Sequence, residues 1–167
     1  MADYTVYIDG MSSVEGFAGI GIVIVDHAKG TIREHSESCH TGSNTRVKIM
    51  ALIKALSMLP KNSTADLFSD SKYIVQSMKG KWQKTKNKDL WRKAMILQAD
   101  KKISYFLGQP DDVDQYQEKC RLLALSALTG NISNNKEYGS DQEKKLSYKE
   151  IAKKFNLHSI ISAEYHV

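Results

Sequence analysis

The first forty residues contain three runs that are typical of β-strands: the first and third alternate apolar and polar positions, and the second is rich in β-branched residues. The runs are YTVYID, FAGIGIVIVD and TIREHSESC. The segment HAKG at 27–30 has the composition of a hairpin turn, and the glycines of the second run suit a strand that another element approaches closely. Three strands joined by tight turns predict an antiparallel meander.

Helical spacing replaces this alternation at Asn44, and apolar residues then recur every three or four positions as far as Leu59. Pro60 ends this predicted helix, and a later helix is predicted to begin after a cap at Ser71 or Asp70. The other predicted elements are a strand at ADLFSD, a helix at SKYIVQSMK, a helix over 88–100, a strand at KISYFLG and a helix over 113–128. Helices that alternate with strands after a meander predict an α/β fold, with a mixed sheet and helices on its faces.

The polar segment 129–146 predicts a linker between a domain over 1–128 and a C-terminal extension over 147–167. The extension returns to helical periodicity, and its apolar stripe consists of Ile151, Ala152, Phe155 and Leu157. One interpretation is a helical hairpin that packs on the core or on a protein partner. The other is a helix-turn-helix-like unit that reads DNA, which is disfavoured because the second predicted helix is apolar rather than basic.

The formal net charge is +5 and the pI is about 9.1, which indicates a polyanionic partner only weakly. The distribution of charge is more informative, because a single acid, Asp89, stands in the basic segment 72–93. The basic residues of this segment are Lys72, Lys79, Lys81, Lys84, Lys86, Lys88, Arg92 and Lys93. They predict either a solvated surface or a contact with phosphates.

The chain has no apolar run long enough to span a membrane, and its first ten residues lack the charged-then-apolar pattern of a signal peptide. Cys39 and Cys120 are far apart and belong to no paired-thiol motif, so we expect reduced thiols rather than a zinc site. These features predict a cytoplasmic protein without a membrane partner.

Local sequences in a shared order resemble those of type 1 ribonuclease H over about residues 3–128. They are YIDG, the glycine-rich second strand, SNTRVKIMALIKAL, LFSDSKYIV, KNKDLW and EKCRLLALSA. The resemblance implies a ribonuclease H-like fold, in which a five-stranded sheet has three antiparallel strands followed by two parallel ones. It also implies duplex nucleic acid, either an RNA/DNA hybrid or double-stranded RNA, as the partner.

In that family, four carboxylates hold two divalent ions that flank the scissile phosphate. Carried over by position, the first acid falls on Asp9 and the third on Asp70. The second position holds Lys48 and the fourth holds Arg121, so two cations stand where acids are expected. The family's histidine loop aligns with GQPDDVDQYQE, in which Asp111 takes the approximate place of the histidine.

The two replacements decide whether ions are expected at this site. At an effective dielectric near 20, unit charges about 4 Å apart interact by about 4 kcal/mol, so a dication meets roughly 8 kcal/mol of repulsion from one adjacent ammonium. We therefore expect no cofactor, and we expect the Lys48 ammonium and the Arg121 guanidinium near the positions that ions would take. Mg²⁺ or Mn²⁺ is expected only if the chain is active.

Structural roles are the alternative for three of these residues. Asp70 would cap the following helix, Asp9 would fix the turn at Gly10, and Lys48 would extend to solvent. A shift of the alignment does not recover the helix carboxylate, because the segment 38–65 contains no Asp or Glu. A third carboxylate for one ion has four candidates, which are Asp111, Asp112, Asp114 and Glu118.

The resemblance also implies residues that contact nucleic acid. Small polar residues at the positions that grip the minor groove are Ser12, Ser13, Asn44 and Thr45. The family's basic handle is shortened to KGKWQKTKNK, whose candidates for phosphate and sugar contacts are Lys81, Trp82, Lys84 and Lys86. A partly buried position in the core is the alternative for Trp82, and Trp91 is predicted to be a core residue.

Three functions are compatible with this sequence. The favoured one is a degenerate ribonuclease H-like domain, a pseudoenzyme that binds duplex nucleic acid or a protein partner without two-metal cleavage. The second is an active, metal-dependent ribonuclease for RNA/DNA hybrids with a reduced site of Asp9, Asp70 and a loop acid. The third is a structural module that docks a protein through its C-terminal helices.

Overall fold

The computed structural model describes residues 1–13, 15–108 and 115–129, together with the backbone of 136–139. The strands are β1 (Tyr4–Ser12), β2 (Phe17–Asp26), β3 (Thr31–His40), β4 (Thr64–Ser69), β5 (Lys102–Leu107) and β6 (Lys136–Gly139). The helices are α1 (Asn44–Met58), α2 (Lys72–Met78), α3 (Lys88–Gln98) and α4 (Gln115–Leu128). The order of elements over the first five strands and four helices is the predicted one.

The strands form one mixed sheet in the order β5-β4-β1-β2-β3-β6. β1, β2 and β3 pair antiparallel as the predicted meander, and β4 and β5 continue the sheet as parallel neighbours of β1. The turn at 27–30 closes around Asp26, whose side-chain Oδ1 accepts the amides of Ala28 and Lys29, each at 3.0 Å. The predicted arrangement of three antiparallel strands and two parallel strands is confirmed.

Alternate side chains of the strands point to opposite faces of the sheet, and a helix covers each face. One face packs on α1 and forms the larger core, in which Val6, Ile8, Ile22 and Leu67 are fully buried with Leu52 of the helix. The opposite face of β1, β2 and β3 packs on α4. Two serines of β3 fix α4 there, and their hydroxyls donate to backbone carbonyls at 2.7 Å, Ser36 to Leu123 and Ser38 to Ala127.

The short strand β6 lies within the segment 129–146, where polar composition predicted a linker. It pairs antiparallel with the outer edge of β3, from Thr31↔Gly139 to Glu34↔Lys136. Backbone hydrogen bonding to an available strand edge does not require apolar side chains, so composition alone did not indicate this strand. The predicted helical extension at 147–167 lies outside the described residues.

Trp91 is fully buried on α3, as predicted, and its ring nitrogen donates to the Tyr73 hydroxyl at 3.1 Å. This contact joins α3 to α2 across the loop formed by residues 79–87. Within the described ranges, none of the helices combines the length and apolarity that a bilayer span needs.

Candidate functional site: an ion quartet at the strand ends

The first carboxylates of the candidate site come from two neighbouring parallel strands. Asp9 lies on β1, and Asp70 directly follows β4. Because β1 and β4 are in parallel register with Ile8 opposite Ser69, the next positions along the two strands, Asp9 and Asp70, lie side by side. The topology of the sheet therefore brings the two aspartates together.

Close contact between α1 and β1 brings Lys48 to these carboxylates. A Cβ atom added to Gly10 would lie 2.8 Å from the Val47 carbonyl oxygen and 3.2 Å from the Lys48 amide nitrogen. Only a residue without a side chain allows the first turn of α1 to lie this near β1. Lys48 directly follows Val47, the residue of α1 that contacts Gly10, and its side chain reaches Asp9 from the helix.

A second close contact at a glycine, between β2 and α4, places Arg121. Gly21 is the cross-strand partner of Asp9, and a Cβ atom added to it would overlap the Cys120 carbonyl oxygen. The Cys120 thiol also donates to the Tyr7 carbonyl at 3.0 Å, and the Gln117 amide donates to the Ile8 carbonyl at 3.0 Å. These contacts hold the first half of α4 against β1, so Arg121 faces the strand ends.

The four side chains form one connected cluster, here named the ion quartet: Asp9, Lys48, Asp70 and Arg121. The Lys48 ammonium bridges both carboxylates, with Nζ 3.0 Å from Asp9 Oδ1 and 3.3 Å from Asp70 Oδ1. The Arg121 guanidinium also bridges them, with Nη2 3.1 Å from Asp70 Oδ2 and Nε 3.6 Å from Asp9 Oδ2. Each cation therefore touches both anions, and the formal charge of the quartet is zero.

The quartet lies at the boundary between core and solvent. The Asp9 side chain is 2% exposed and that of Lys48 is 25% exposed. Burial raises the pKa of the Asp9 carboxyl above its ordinary range, against the opposing attraction of Lys48 and Arg121. Burial alone would lower the pKa of the Lys48 ammonium, but the attraction of Asp9 and Asp70 outweighs it, and the pKa of Lys48 is raised. Lys48 is therefore held in its charged form.

The structural alternatives for these residues have different outcomes. The helix α2 is capped by Ser71, whose hydroxyl accepts the Ile74 amide at 3.3 Å, so Asp70 is not the cap. The expected turn at Gly10 is wrong, because Gly10 lies within β1 and pairs with Ile20; Asp9 accepts the Gly10 amide at 2.8 Å in addition to its ion pairs. Lys48 turns toward the carboxylates instead of extending to solvent.

The raised pKa of Lys48 leads to a prediction about stability at alkaline pH. A lysine whose pKa is higher in the folded chain stabilises it fully below the unfolded pKa, about 10.4, and loses this effect as the pH rises toward the folded value. We expect the free energy of unfolding to differ between the native chain and Lys48→Met by a constant amount up to about pH 10 and by less above it. Urea unfolding monitored by circular dichroism from pH 7 to 11 measures this difference, and a gap that widens above pH 10 would contradict it.

The donor set of the quartet does not fit divalent ions. Mg²⁺ and Mn²⁺ require several anionic or neutral oxygen ligands, and here each carboxylate is already in contact with two cations. Among the residues that the structure describes, no three His, Cys, Asp or Glu side chains are grouped closely enough to hold a metal ion. Glu118, a candidate third ligand, is half-buried, and burial raises the pKa of its carboxyl. The other candidates, Asp111, Asp112 and Asp114, lie outside the described residues.

The predicted minor-groove residues lie together beside the quartet. The backbone amide and the hydroxyl of Ser12 both donate to the Asn44 side-chain oxygen at 2.9 Å. Ser13 donates its amide to the Phe17 carbonyl at 2.7 Å, which closes the hairpin between β1 and β2. Thr45 is exposed in the first turn of α1. This arrangement fixes the position of the Asn44 side-chain oxygen beside Ser12.

The lysine-rich loop, residues 79–87, presents Lys81, Trp82 and Lys86 to solvent. Trp82 is thus exposed rather than a core residue, and its ring lies 6.4 Å from that of Tyr73. Lys84 is less exposed, and its ammonium lies 5.8 Å from the centre of the Trp91 ring. The loop therefore offers three exposed cations, Lys79, Lys81 and Lys86, and an exposed aromatic ring.

Sequence reasoning missed Arg46, which anchors the end of this loop. Its guanidinium binds both carboxylate oxygens of Asp89, at 3.1 Å and 2.5 Å, and donates to the Asn87 side chain at 3.2 Å. The one acid among the lysines was the available signal, because an isolated carboxylate in a basic segment is a natural partner for an arginine.

Comparison with known proteins places this geometry in a family. The RNase H family model matches residues 1–111. Ribonuclease HI of Synechocystis sp. is 30% identical over 142 residues, which cover 76% of this chain and 88% of that protein. The crystal structure of RNase H1 from the halophilic archaeon Halobacterium salinarum superposes with a TM-score of 0.64 at 25% identity, covering 76% of this chain and 98% of that one.

A further solved structure shares the fold alone. It is LC11-RNase H1 in complex with an RNA/DNA hybrid, with a TM-score of 0.62 at 22% identity over 75% of this chain and 99% of that one. The family match covers more than half of the sequence, and the identity to the Synechocystis protein extends over most of both chains. This chain therefore belongs to the RNase H family.

Proposed function

We propose that this chain binds RNA/DNA hybrid duplexes and does not cleave them by the two-metal mechanism. One observation carries the proposal: the Lys48 ammonium lies 3.0 Å and 3.3 Å from the two carboxylates that two-metal chemistry would need for its ions. A dication brought among these groups meets two fixed cations and finds both carboxylates already paired. The ion quartet therefore supports a domain that keeps the ribonuclease H-like fold but lacks two-metal cleavage.

Binding of the hybrid is supported by the surface around the quartet and by the relatives. Ser12, Asn44 and Thr45 present small polar groups at the strand ends, where they suit the 2′-hydroxyls and base edges of a minor groove. The exposed Lys81 and Lys86 suit phosphates. A structural neighbour is described in complex with an RNA/DNA hybrid, which makes the hybrid the first ligand to test.

The names of the relatives support the alternative, an active ribonuclease with a reduced site. A labelled RNA/DNA hybrid incubated with the native chain and either Mg²⁺ or Mn²⁺ separates the two functions. We expect no products above those of a protein-free control, with an active ribonuclease H of the same family as the positive control. Cleavage by the native chain that Asp70→Asn abolishes would contradict the proposal and support the reduced site.

A prediction about salt follows from the lysine-rich loop. Each phosphate contact that neutralises a charge releases a counterion, so log Kd of the hybrid should rise linearly with log salt concentration. We expect Lys81→Gln and Lys86→Gln each to lower the magnitude of this slope by about 1 and to weaken binding severalfold. Fluorescence anisotropy of a labelled hybrid at several salt concentrations measures both quantities.

The matched control is Lys29→Gln, which removes an exposed lysine from the turn between β2 and β3, at the opposite end of the sheet. Its slope should equal that of the native chain. A native slope near zero would exclude phosphate neutralisation by the loop. The same titration with double-stranded RNA shows whether the hybrid is the preferred duplex.

A further inference from the structure

Two exposed aromatic rings lie together beyond the residues assigned to the duplex. Phe17 begins β2 and pairs with His40 at the end of β3. Their ring centres are 5.9 Å apart and the ring planes are tilted by 52°. Phe17 is 52% exposed and His40 is also exposed, so both rings are accessible to solvent.

The fold explains why these rings are exposed, since α4 ends before it reaches them. Phe17 projects to the same face of the sheet as Gly19, because the two are separated by two positions on β2. Gly19 meets the last turn of α4, where a Cβ atom added to it would lie 2.7 Å from the Leu128 amide nitrogen. The helix ends at Leu128, opposite Gly19, and Phe17 lies two residues beyond Gly19 toward the start of β2. Packing against the described part of α4 is therefore not the role of this ring.

The rings are continuous with the surface proposed to bind the hybrid. The Phe17 amide donates to the Ser13 hydroxyl at 3.3 Å, and Ser13 is the neighbour of Ser12 in the pair with Asn44. Phe17 is four residues from Gly21, the partner of Asp9, which is about 13 Å along the strand. The rings therefore lie at the same end of the sheet as the ion quartet but farther out.

We propose that Phe17 and His40 form a stacking site for an unpaired base that adjoins the bound duplex. Aromatic faces stack on any base, and this contact does not depend on phosphate charge. The bases of an intact duplex are covered by their neighbours, so the site takes a nucleotide from a single-stranded extension. The inference rests on the proposed binding of RNA/DNA hybrids and adds a preference for hybrids that end in a single strand.

The test compares a blunt labelled hybrid with the same hybrid carrying a single-stranded extension, which is placed on either strand in turn. Fluorescence anisotropy with the native chain should show tighter binding of one extended hybrid. Phe17→Ala should weaken that binding by about tenfold and leave the affinity for the blunt hybrid unchanged. Phe17→Tyr, which keeps an aromatic face, should restore it. The salt slope should be the same for all of these variants, unlike that of Lys81→Gln.

The control variant is Phe106→Ala, which removes a ring of similar exposure, 41%, from the far edge strand β5. It should bind both hybrids as the native chain does. The inference is overturned if Phe17→Ala binds the extended hybrid normally, or if it weakens binding of both hybrids equally. It is also overturned, while hybrid binding itself stands, if the native chain binds both hybrids alike with a salt slope that depends on Lys81. Failure of the native chain to bind either hybrid overturns both proposals.

Discussion

The paired substitution Lys48→Glu with Arg121→Asp is expected to give the chain a divalent-ion site. It changes the formal charge of the ion quartet from zero to −4 and replaces two cationic groups with oxygen ligands at the same strand ends. Replacing an ammonium by a carboxylate about 4 Å from a dication turns a repulsion of roughly 8 kcal/mol into an attraction of similar size. Even if solvent reduces this difference severalfold, the affinity for the ion should rise by more than about hundredfold. We expect heat of Mn²⁺ binding in calorimetry for the double variant and none for the native chain.

The control for this experiment is the neutral pair Lys48→Gln with Arg121→Gln. It removes the repulsion but supplies no carboxylates, so it should bind Mn²⁺ far more weakly than the acidic pair. Equal binding by both variants would show that repulsion alone excludes ions from the native site. No heat from the acidic pair, in a variant that circular dichroism shows to be folded, would show that the strand ends do not have the geometry of a metal site.

The second large effect is expected on stability, from the substitution Lys48→Met. It leaves the buried Asp9 and the neighbouring Asp70 with one cation between them, the Arg121 guanidinium. Removing one member of a buried ion pair costs about 3–5 kcal/mol, and the partial exposure of Lys48 places the expected loss near 3 kcal/mol. Urea unfolding at pH 7 measures this loss as a lower midpoint at unchanged slope.

Coupling between the two residues tests the cause of this loss. Asp9→Asn added to Lys48→Met removes the uncompensated carboxylate, so it should recover much of the lost stability. Arg46→Met is the matched control, because it breaks a more exposed ion pair on the same helix and should cost far less. A loss for Lys48→Met no larger than that for Arg46→Met would mean that the quartet contributes little to stability.

The grouping of the quartet was predictable because it depends on few features of the chain. Two strands that run parallel must end at one edge, and both aspartates stand at strand ends in the sequence pattern. The resemblance to ribonuclease H then placed Lys48 and Arg121 by position. Their contacts were less predictable: each cation bridges both carboxylates, whereas the expectation placed the two cations only near the positions that ions would take.

Other features depend on contacts between distant segments that leave weak local signals. The helix α1 packs tightly on β1 at Gly10, and α4 packs tightly on β2 at Gly21. The only sequence signal for these contacts is the presence of the two glycines within strands. The strand β6 depends on the free edge of β3 and not on its own composition. The pairing of Arg46 with Asp89 joins residues 43 positions apart, and periodicity within either helix contains no information about it.

The balance of charge within the quartet has a consequence for how its members can change over generations. A single exchange of Lys48 for an acid would place three carboxylates around one guanidinium, and a single exchange of either aspartate for a neutral residue would leave a surplus cation. Each such step lowers stability before any new property is gained. Substitutions at these four positions are therefore expected to succeed as compensating pairs, so few single-step routes lead from this arrangement to an ion-binding one.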